Sequence, residues 1–499
     1  MSALTPVARG IVRECPTIVD DAPTFLPTPG EPHLTGQELA RIVRGDVIVP
    51  GTLPIRGGAV DSRRVAAGAC FFALPGERTD GHRYLVQAVG AGAAAVIVRE
   101  RPDPATLSAL RAASPVTVIQ VPDALTALQA TARAWRERFA PLVVGITGSL
   151  AKTSTKEQTA EVLGQRWTVL RNEGNENNEV GLPLTVLRLS SAHEAAVLEM
   201  GMYVAGEIGL LAAIARPRIG VVTAVRGTHL SRAGSLDAIQ QGKAQLVESL
   251  PEDGTAVLNA DDTRVMSMRR QSRAAVLSYG FDDSADVHAE AAQSLGEEGM
   301  RFTLRTPSGA APVTTTALGR HSVHNALAAA AVGIAAGMAL PDICRGLAGG
   351  FRAPHRTAYM RVGEWRVLDD SYNAAPDSME AALELLGSLG GRRIAVLGEM
   401  LELGEDSAEA HRIVGRRSAV FADRLVTVGA GAAAIAAGAR EGGMDRSAID
   451  QVAGRDEALA LLLRDLRPGD AVLVKASRGV ALDLLVDGLV AAGRDAVTA

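Results

Sequence analysis

Apolar residues fall into two alternating patterns along most of the chain. Short continuous apolar runs, typical of strands buried on both faces, alternate with segments in which apolar residues return every three or four positions, as on one face of a helix. This alternation indicates βαβ units and predicts an α/β fold with parallel sheets. Residues 275–318 instead predict a small β-rich insertion. The other predicted strands are residues 70–74, 95–98, 116–120, 142–147, 195–199, 219–225, 255–259, 365–369, 393–397, 424–428 and 471–475.

Turn and cap signals divide this pattern into domains. Residues 1–34 are rich in proline and predict an irregular extension, and ordered structure is expected to start at the capping box Thr35-Gly-Gln-Glu38. At a typical size of roughly 150 residues per domain, the chain has room for about three domains. We predict an α/β domain over 35–140, a central parallel-sheet domain over 141–352 and a Rossmann-like α/β domain over 353–499.

Composition narrows the classes of function. The net charge of −5 and the pI near 6.0, without a basic stripe, argue against a nucleic-acid partner. A local basic site could still bind an anionic substrate. The three cysteines lie far apart, which argues against a disulfide framework and indicates a reducing compartment. Because neither a leader pattern nor an apolar run of ~20 residues is present, we expect a cytoplasmic protein without a membrane span. We also expect a monomer.

The strongest chemical signal is the segment Gly145-Ile-Thr-Gly-Ser-Leu-Ala-Lys-Thr-Ser154, where a predicted strand runs through a glycine turn into a helix. In such a turn the backbone N–H groups and the helix N-terminus point at a phosphate. Lys152 would reach the β- and γ-phosphates of a nucleotide, and the Thr153 hydroxyl would bind Mg²⁺. The strict motif has glycine where this chain has Ala151, so an ordinary strand–turn–helix with a surface lysine stays open as the alternative.

Three further polar residues follow the predicted strands of the central domain. Glu199 ends a buried strand, where a carboxylate would face a nucleotide crevice and could hold Mg²⁺. His229 follows the next strand in the same way, and Lys243 lies in a helical segment. Taken singly, each has a plain structural alternative: a strand-end acid in solvent, a structural histidine and a solvated lysine.

The order and spacing of these residues, together with flanking motifs, resemble the Mur ligase family over nearly the whole chain. Each motif is weak alone, but their common order makes chance a poor explanation. The motifs are Asp61-Ser-Arg63, Phe71-Phe-Ala-Leu74 and Asp80-Gly-His82, then the phosphate loop, Gly174-Asn-Glu-Asn-Asn-Glu-Val-Gly-Leu-Pro-Leu184, Glu199-Met-Gly201, His229-Leu230, Lys243 and His324-Asn325, then Asp369-Asp-Ser-Tyr-Asn-Ala-Ala-Pro-Asp-Ser-Met379, Val396-Leu-Gly-Glu-Met-Leu-Glu-Leu-Gly404, His411 and Val474-Lys-Ala-Ser-Arg-Gly479.

The resemblance implies an ATP-dependent acid–amine ligase with a UDP-binding α/β domain, a central ATP-binding domain and a C-terminal Rossmann-like domain. A substrate carboxylate would take the γ-phosphoryl group of ATP, and an amine would then attack the acyl phosphate and release phosphate. The implied cofactors are ATP and Mg²⁺. The implied substrates are a UDP-linked muramoyl tripeptide and D-alanyl-D-alanine, which are precursors of peptidoglycan.

The resemblance also implies roles for individual residues. The implied ATP contacts are Thr147, Gly148, Ser149, Leu150, Ala151, Lys152, Thr153, Ser154, Asn325, Arg356 and Asp370. The implied metal ligands are Thr153, Glu199, His229 and a carbamylated Lys243, and the implied catalytic residues are Lys152, His229 and Lys243. The implied substrate contacts are Ser62 and Arg63 at the uridine nucleotide, Asn178 in a substrate loop, and Lys475 and Arg478 at the dipeptide carboxylate, unless these last two are surface charges.

Several positions depart from the family pattern. Ala151 replaces a loop glycine and would strain the backbone if its φ is positive, while Met202-Tyr203, Ala375 and Ala476 replace residues of other motifs. The implied metal set is complete, which favours an active ligase. Two alternatives stay open: a ligase of the same mechanism with other substrates, and a non-catalytic nucleotide-binding protein.

Overall fold

The computed structural model describes residues 31–76, 79–227 and 235–498. The chain divides into two compact units, the first ending at Ala127 and the second starting at Leu128. Of the predicted N-terminal extension, residues 1–30 lie outside the described residues. Among the described residues, the structure contains no helix that is long and apolar enough to cross a membrane.

The first unit is built round a five-stranded sheet in the order β1-β5-β4-β3-β2, in which only the β1–β5 pair is antiparallel. Its first helix starts at the predicted capping box, where the Thr35 hydroxyl accepts from the Glu38 N–H and the Glu38 carboxylate accepts from the Thr35 N–H. The elements are α1 Gly36–Val43, β1 Asp46–Val49, β2 Gly58–Ala59, β3 Cys70–Phe72, α2 Leu85–Gly90, β4 Ala95–Val98, α3 Pro104–Ala113, β5 Thr117–Gln120 and α4 Ala124–Arg136, which contains the division between the units.

The second unit begins with a nine-stranded sheet in the order β14-β13-β12-β11-β10-β9-β6-β8-β7. Strands β6 to β12 are parallel to one another. Strand β13 pairs antiparallel with both of its neighbours, β12 and β14. The strands are β6 Leu142–Thr147, β7 Val169–Arg171, β8 Ala195–Glu199, β9 Ile219–Val222, β10 Thr255–Asn259, β11 Ala275–Gly280, β12 Val287–Ser294, β13 Met300–Thr306 and β14 Gly309–Thr315. The helices are α5 Lys152–Leu163, α6 Gly181–Val186, α7 Glu207–Ala215, α8 Leu236–Glu248, α9 Thr263–Ser267, α10 Arg320–Ala335 and α11 Leu340–Ala348.

The β-rich character predicted for residues 275–318 is confirmed, but these residues do not form a unit of their own. Strand β11 pairs in parallel with β10, and β12 to β14 extend the same sheet to its edge. Buried and exposed residues alternate along β13, as they would in an independent antiparallel sheet. The sequence does not show that β11 pairs with β10, and this pairing joins the segment to the central sheet.

The core of the nine-stranded sheet is closed by the alanine-rich helix α10. Its residues Ala328 to Val332 are fully buried against α5 and the sheet. Small side chains let the helix and strand backbones approach closely, which explains how a chain with 3% aromatic residues fills this core.

The six-stranded sheet follows in the order β15-β16-β20-β17-β18-β19, and only β15 is antiparallel to its neighbour. Separate apolar clusters cover its two faces, as in a doubly wound fold. The strands are β15 Ala358–Val362, β16 Trp365–Asp369, β17 Arg393–Gly398, β18 Arg424–Val428, β19 Ile449–Val452 and β20 Ala471–Lys475. The helices are α12 Pro376–Ser388, α13 Ser407–Phe421, α14 Ala433–Glu441, α15 Arg455–Asp465 and α16 Asp483–Thr498.

An acidic residue of the nine-stranded sheet is bound by two arginines of the six-stranded sheet. Glu297, in the turn between β12 and β13, accepts from Arg366 and from Arg361, each at 2.7 Å. These charge-assisted bonds, with that of Arg366 the largest, lower the pKa of Glu297 to about 2. The contact therefore helps to hold the two sheets together at neutral pH.

We expect Glu297→Gln to destabilise the second unit at neutral pH by up to about 1 kcal/mol, because the arginines lose a charged partner in a partly exposed contact. The folded-state pKa lies below the ordinary value of 4.5, so the carboxylate stabilises the fold above that value and this contribution disappears as the pH falls towards about 2. Thermal midpoints of both proteins across this pH range measure the difference.

The matched control is Glu298→Gln, which removes the same charge from the adjacent exposed residue and should leave the midpoint nearly unchanged. If the stability difference between Glu297→Gln and the unaltered protein stays constant down to the lowest pH at which both fold, the ionised Glu297 carboxylate is not the source of the stabilisation.

Candidate active site

A cavity of about 910 Å³ lies within the second unit, at the carboxyl ends of strands from both of its sheets. The nine-stranded sheet contributes the loop 148–154, Glu199 and Lys243, and the six-stranded sheet contributes Asp370 and Lys475. The crevice beyond the carboxyl ends of parallel strands is where open α/β sheets bind their ligands.

The loop between β6 and α5 is fixed by bonds from neighbouring strands. Gly148 has a φ of 153°, and a Cβ there would lie 1.8 Å from the hydroxyl oxygen of Thr223, so only glycine fits. The Thr223 hydroxyl donates to the Leu150 carbonyl at 2.6 Å, and the Ser149 hydroxyl donates to the Arg226 carbonyl at 3.0 Å. These contacts hold the loop in the open turn that a phosphate group needs.

Ala151 immediately precedes α5 with φ 63° and ψ 3°, in the left-handed region. The condition under which we expected backbone strain is therefore met. A non-glycine residue in this conformation costs roughly 1–2 kcal/mol. The turn is nevertheless complete, and the helix begins at Lys152 as the sequence predicts.

Lys152 folds back over the phosphate loop. Its ammonium group donates to the Gly148 carbonyl at 2.8 Å. Burial lowers the pKa of Lys152, and Arg356 adds to this effect while Glu199 opposes it. The alternative of a surface lysine fails, because the side chain lies inside the loop that it follows.

The hydroxyl of Thr153 and the carboxylate of Glu199 meet at the base of the cavity. Thr153 Oγ1 donates to Glu199 Oε2 at 2.8 Å, and Asn177 Nδ2 donates to the other carboxylate oxygen at 2.7 Å. Glu199 is only 2% exposed, so the alternative of a strand-end acid in solvent also fails. A buried hydroxyl and carboxylate beside a phosphate loop are the hard oxygen donors that fit Mg²⁺, which takes one or two protein ligands and completes its shell with phosphates and water.

A larger metal cluster is not formed by the described residues, among which no group of three or more His, Cys, Asp or Glu side chains could hold an ion. His229 lies outside the described residues. Lys243, on α8, is 4% exposed, and burial together with the charge of Lys152 lowers its pKa well below the ordinary value. Lys243 is thus not the solvated lysine of the structural alternative.

A second wall of the cavity carries polar and aromatic side chains suited to a nucleobase. Asn325 is 3% exposed, and its side-chain oxygen accepts from Thr155 at 3.4 Å. The neighbouring His324 lies 3.1 Å from Asn259 Oδ1, and its ring centroid is 5.9 Å from that of Phe281. Sequence motifs single out Asn325 but give no signal for Phe281, which follows β11.

The six-stranded sheet contributes a cluster of charged groups. Asp370 accepts from Lys475, which is 2% exposed and also donates to the Asn373 carbonyl at 2.9 Å. The guanidinium group of Arg356 lies 4.1 Å from the ring centroid of Tyr372, and that of Arg478 lies 5.3 Å from it. Lys475 is therefore not a surface charge, whereas Arg478 is largely exposed.

Three of the proposed substrate contacts have local partners. Ser62 is buried in the first unit and donates to Gln87 at 3.0 Å, and Arg63 is exposed and paired with Asp61 at 2.6 Å. The side chain of Asn178 accepts from two backbone N–H groups at the start of α6. The neighbouring Asn177, which lines the cavity and binds Glu199, was not singled out by the sequence.

A phosphate loop that leads into a helix, a buried carboxylate beside it and a nucleobase wall define a nucleotide-dependent phosphoryl-transfer site. Models of three Mur ligase domains match the chain: the Mur ligase family catalytic domain at residues 54–136, the Mur ligase middle domain at 146–333 and the Mur ligase glutamate ligase domain at 355–478. The chain therefore belongs to the Mur ligase family, and it is an ATP-dependent ligase.

Named relatives cover nearly the whole chain. The UDP-N-acetylmuramoyl-tripeptide–D-alanyl-D-alanine ligase of Mycobacterium tuberculosis (strain ATCC 25618 / H37Rv) is 38% identical over 92% of this chain and 98% of its own length. The Bacillus subtilis (strain 168) protein of the same name is 35% identical, covering 91% and 98%.

Solved structures agree with these matches. MurF from Acinetobacter baumannii has a TM-score of 0.82 and 30% identity over 92% of this chain and 99% of its own. MurF ligase from Thermotoga maritima in complex with ADP has a TM-score of 0.77 and 26% identity, covering 88% and 98%. The predicted three-part α/β architecture is confirmed, while the exact domain boundaries stay a prediction.

We expect Ala151→Gly to stabilise the second unit by up to about 1 kcal/mol, because relief of the left-handed alanine outweighs the extra chain entropy of glycine. The Michaelis constant for ATP and kcat should change only modestly, since the loop is already held open by Thr223 and Ser149. Denaturant unfolding and steady-state kinetics measure the two effects. A rise in turnover of several orders of magnitude would show that the alanine distorts the phosphate site.

Proposed function

We propose that this ligase joins D-alanyl-D-alanine to UDP-N-acetylmuramoyl-tripeptide in peptidoglycan precursor synthesis. The observation that carries the proposal is the match to ligases of that name over 92% of the chain, with the first α/β unit included. That unit would hold the UDP group, with Ser62 and Arg63 near the uridine nucleotide. Because such precursors and ATP are soluble metabolites, we also infer that the protein acts in the cytoplasm. That it is a monomer stays a prediction.

The proposed reaction has two steps. The terminal carboxylate of the tripeptide attacks the γ-phosphorus of ATP, and the bond to the β-phosphate oxygen breaks to release ADP. The amino group of the dipeptide then attacks the acyl carbonyl, the bond to the phosphate oxygen breaks, and a proton and phosphate leave. The protein would position the reactants and neutralise the phosphate charge.

The arrangement of the cavity supports a placement for ATP. The amides of residues 147–154 and the Lys152 ammonium group would bind the phosphates, and Asn325 would meet the adenine. Arg356 would reach a phosphate, and Asp370 the ribose. Thr153 and Glu199 would hold Mg²⁺, which supplies a positive charge at the transferring phosphoryl group.

Lys243 has the properties that carbamylation requires. A neutral amine is the form that combines with carbon dioxide, and burial favours the neutral form of Lys243. We propose that the carbamate, an anionic oxygen donor, joins Glu199 and His229 in holding a second Mg²⁺.

Arg478 is the better of the two residues proposed for the dipeptide carboxylate. Lys475 is bound to Asp370 and to a carbonyl, so its ammonium group would chiefly orient the ribose contact. Arg478 is exposed in the cavity wall. One of its N–H groups pairs with Asp483 at 3.3 Å, and its remaining N–H groups could bind a carboxylate.

One observation favours a second candidate, a ligase of the same mechanism with other substrates. Met202 and Tyr203, which replace a polar pair of the family, both line the cavity. A Cβ at Gly242, next to Lys243, would lie 2.2 Å from the Met202 sulfur, so the thioether occupies space beside the proposed catalytic lysine. This apolar wall could accept a different acid.

The deciding assay measures ADP and phosphate release with UDP-N-acetylmuramoyl-tripeptide, with and without D-alanyl-D-alanine. We expect amide product only when ATP and both substrates are present, and no product with Lys152→Ala, because the phosphates lose the cation of the loop. A panel of other acids and amines provides the comparison. Preferred turnover of a different pair would support the second candidate, and tight ATP binding without any product would support the non-catalytic alternative.

We expect Lys243→Arg to lower kcat on the order of a hundredfold, since arginine keeps a cation but forms no carbamate. Nucleotide binding should persist, because Lys243 lies outside the phosphate loop. Turnover and ADP titration measure these effects, and a carbamate signal from ¹³C-bicarbonate should appear only in the unaltered protein. Full activity of Lys243→Arg would exclude a catalytic carbamate.

A further inference from the structure

On one of its two sides, the last residue of β8, Glu199, is held by a side chain instead of a neighbouring strand. On the other side β8 pairs with β6 as far as Ile146 opposite Glu199. Strands β7 and β8 pair in parallel, and their register ends at Arg171 opposite Val197. The next residue, Asn172, uses its side-chain amide in place of the ladder. Its Oδ1 accepts from the Glu199 N–H at 2.9 Å, and its Nδ2 donates to the Glu199 carbonyl at 3.0 Å.

Asn172 is itself fixed on all sides. It is 2% exposed, and its Nδ2 also donates to the Glu176 carbonyl at 2.8 Å. Its own carbonyl accepts from the ammonium group of Lys156 at 2.5 Å. Lys156 is fully buried on α5 and paired with Glu157 at 2.8 Å. A chain of buried polar contacts thus runs from α5 through Asn172 to the backbone of Glu199.

The early end of the β7–β8 ladder shapes one wall of the cavity. Because the backbone ladder stops at Arg171, residues 173–177 are released from the sheet and curve over the cavity, which Gly174, Asn175 and Asn177 line. Asn177 returns to bind the Glu199 carboxylate. Asn172 therefore fixes the Glu199 backbone while the following loop fixes its side chain.

We propose that Asn172 is a positioning residue that orients Glu199 as a magnesium ligand. The proposal rests on the proposed function, in which Glu199 and Thr153 hold Mg²⁺. Groups that orient a metal ligand from behind it commonly change metal affinity or activity by roughly 10–100-fold when they are lost. An amide is required because Glu199 presents one donor and one acceptor. An aspartate at 172 would direct an oxygen at two carbonyls, and a leucine would leave the backbone groups buried and unpaired.

The test compares the full-length variants Asn172→Asp and Asn172→Leu with the unaltered protein and with Glu199→Ala. Binding of Mn²⁺, a hard cation that substitutes for Mg²⁺, is followed by electron paramagnetic resonance with ADP present. We expect both Asn172 variants to bind Mn²⁺ roughly 10–100-fold more weakly. The Mg²⁺ concentration for half-maximal turnover should rise in parallel, while the Michaelis constant for ATP at saturating Mg²⁺ changes little.

The matched control is Gln158→Leu. Gln158 is also fully buried on α5 and donates to the Gly346 carbonyl at 3.0 Å, but it does not contact Glu199. Its loss should lower the thermal midpoint without changing Mn²⁺ affinity. An equal loss of Mn²⁺ affinity in Gln158→Leu would overturn the proposal, because the effect would then come from general loosening of α5.

The remaining outcomes separate this inference from the proposed function. If Glu199→Ala loses Mn²⁺ binding and the folded Asn172 variants keep it, the positioning role is wrong and the metal role of Glu199 stands. If Glu199→Ala binds Mn²⁺ normally, the metal assignment fails and this inference fails with it. Thermal melting identifies the variants that fold. Asn172→Asp keeps the side-chain volume, so we expect this variant to remain folded and to give an interpretable Mn²⁺ affinity.

Discussion

The burial of the Glu199 carboxylate is the constraint on which the rest of the site depends. A buried anion is costly unless it is hydrogen-bonded and close to positive charge. Here Thr153 and Asn177 each donate to one carboxylate oxygen. Lys152 also lies close enough for the charge of Glu199 to act on its pKa, in the raising direction. To bring these groups together, β8 must end beside the phosphate loop, and the chain after β7 must leave the sheet early. The strand order places β8 beside β6, which leads into the phosphate loop, and the register of β7 with β8 ends at Arg171.

The six-stranded sheet completes the cavity, and ion pairs on two sides hold it there. Glu297 binds Arg366 and Arg361 away from the phosphate loop, and Arg226, whose backbone contacts Ser149, binds Asp377 at the start of α12. The Arg226–Asp377 pair is half-exposed, so it contributes little energy and is sensitive to salt. Contacts of this strength suit a boundary that must open for substrates and close to keep water from an acyl phosphate.

The sequence predicted those parts of the site whose chemistry is local. Strands β6 and β8 and the start of α5 follow from apolar runs and a glycine turn, and Lys152, Thr153, Glu199 and Lys243 do lie round one cavity. Asn172 and Asn177 could not be found in this way, because their roles depend on where β7 ends against β8. The membership of β11 to β14 in the central sheet was missed for the same reason, since pairing is a property of two distant segments.

Ala151 shows how far a motif can depart from its pattern without losing its geometry. The glycine that the strict pattern requires supplies a left-handed residue before the helix, and Ala151 adopts that conformation at a cost of roughly 1–2 kcal/mol. Gly148, in contrast, cannot be replaced, because a Cβ there would collide with Thr223. Strain that the surrounding fold can absorb is thus tolerated in this loop, whereas a steric overlap is not. The conformation of the phosphate loop is therefore set by Gly148 and by contacts with residues 223–226, which follow β9, and it does not require glycine at position 151.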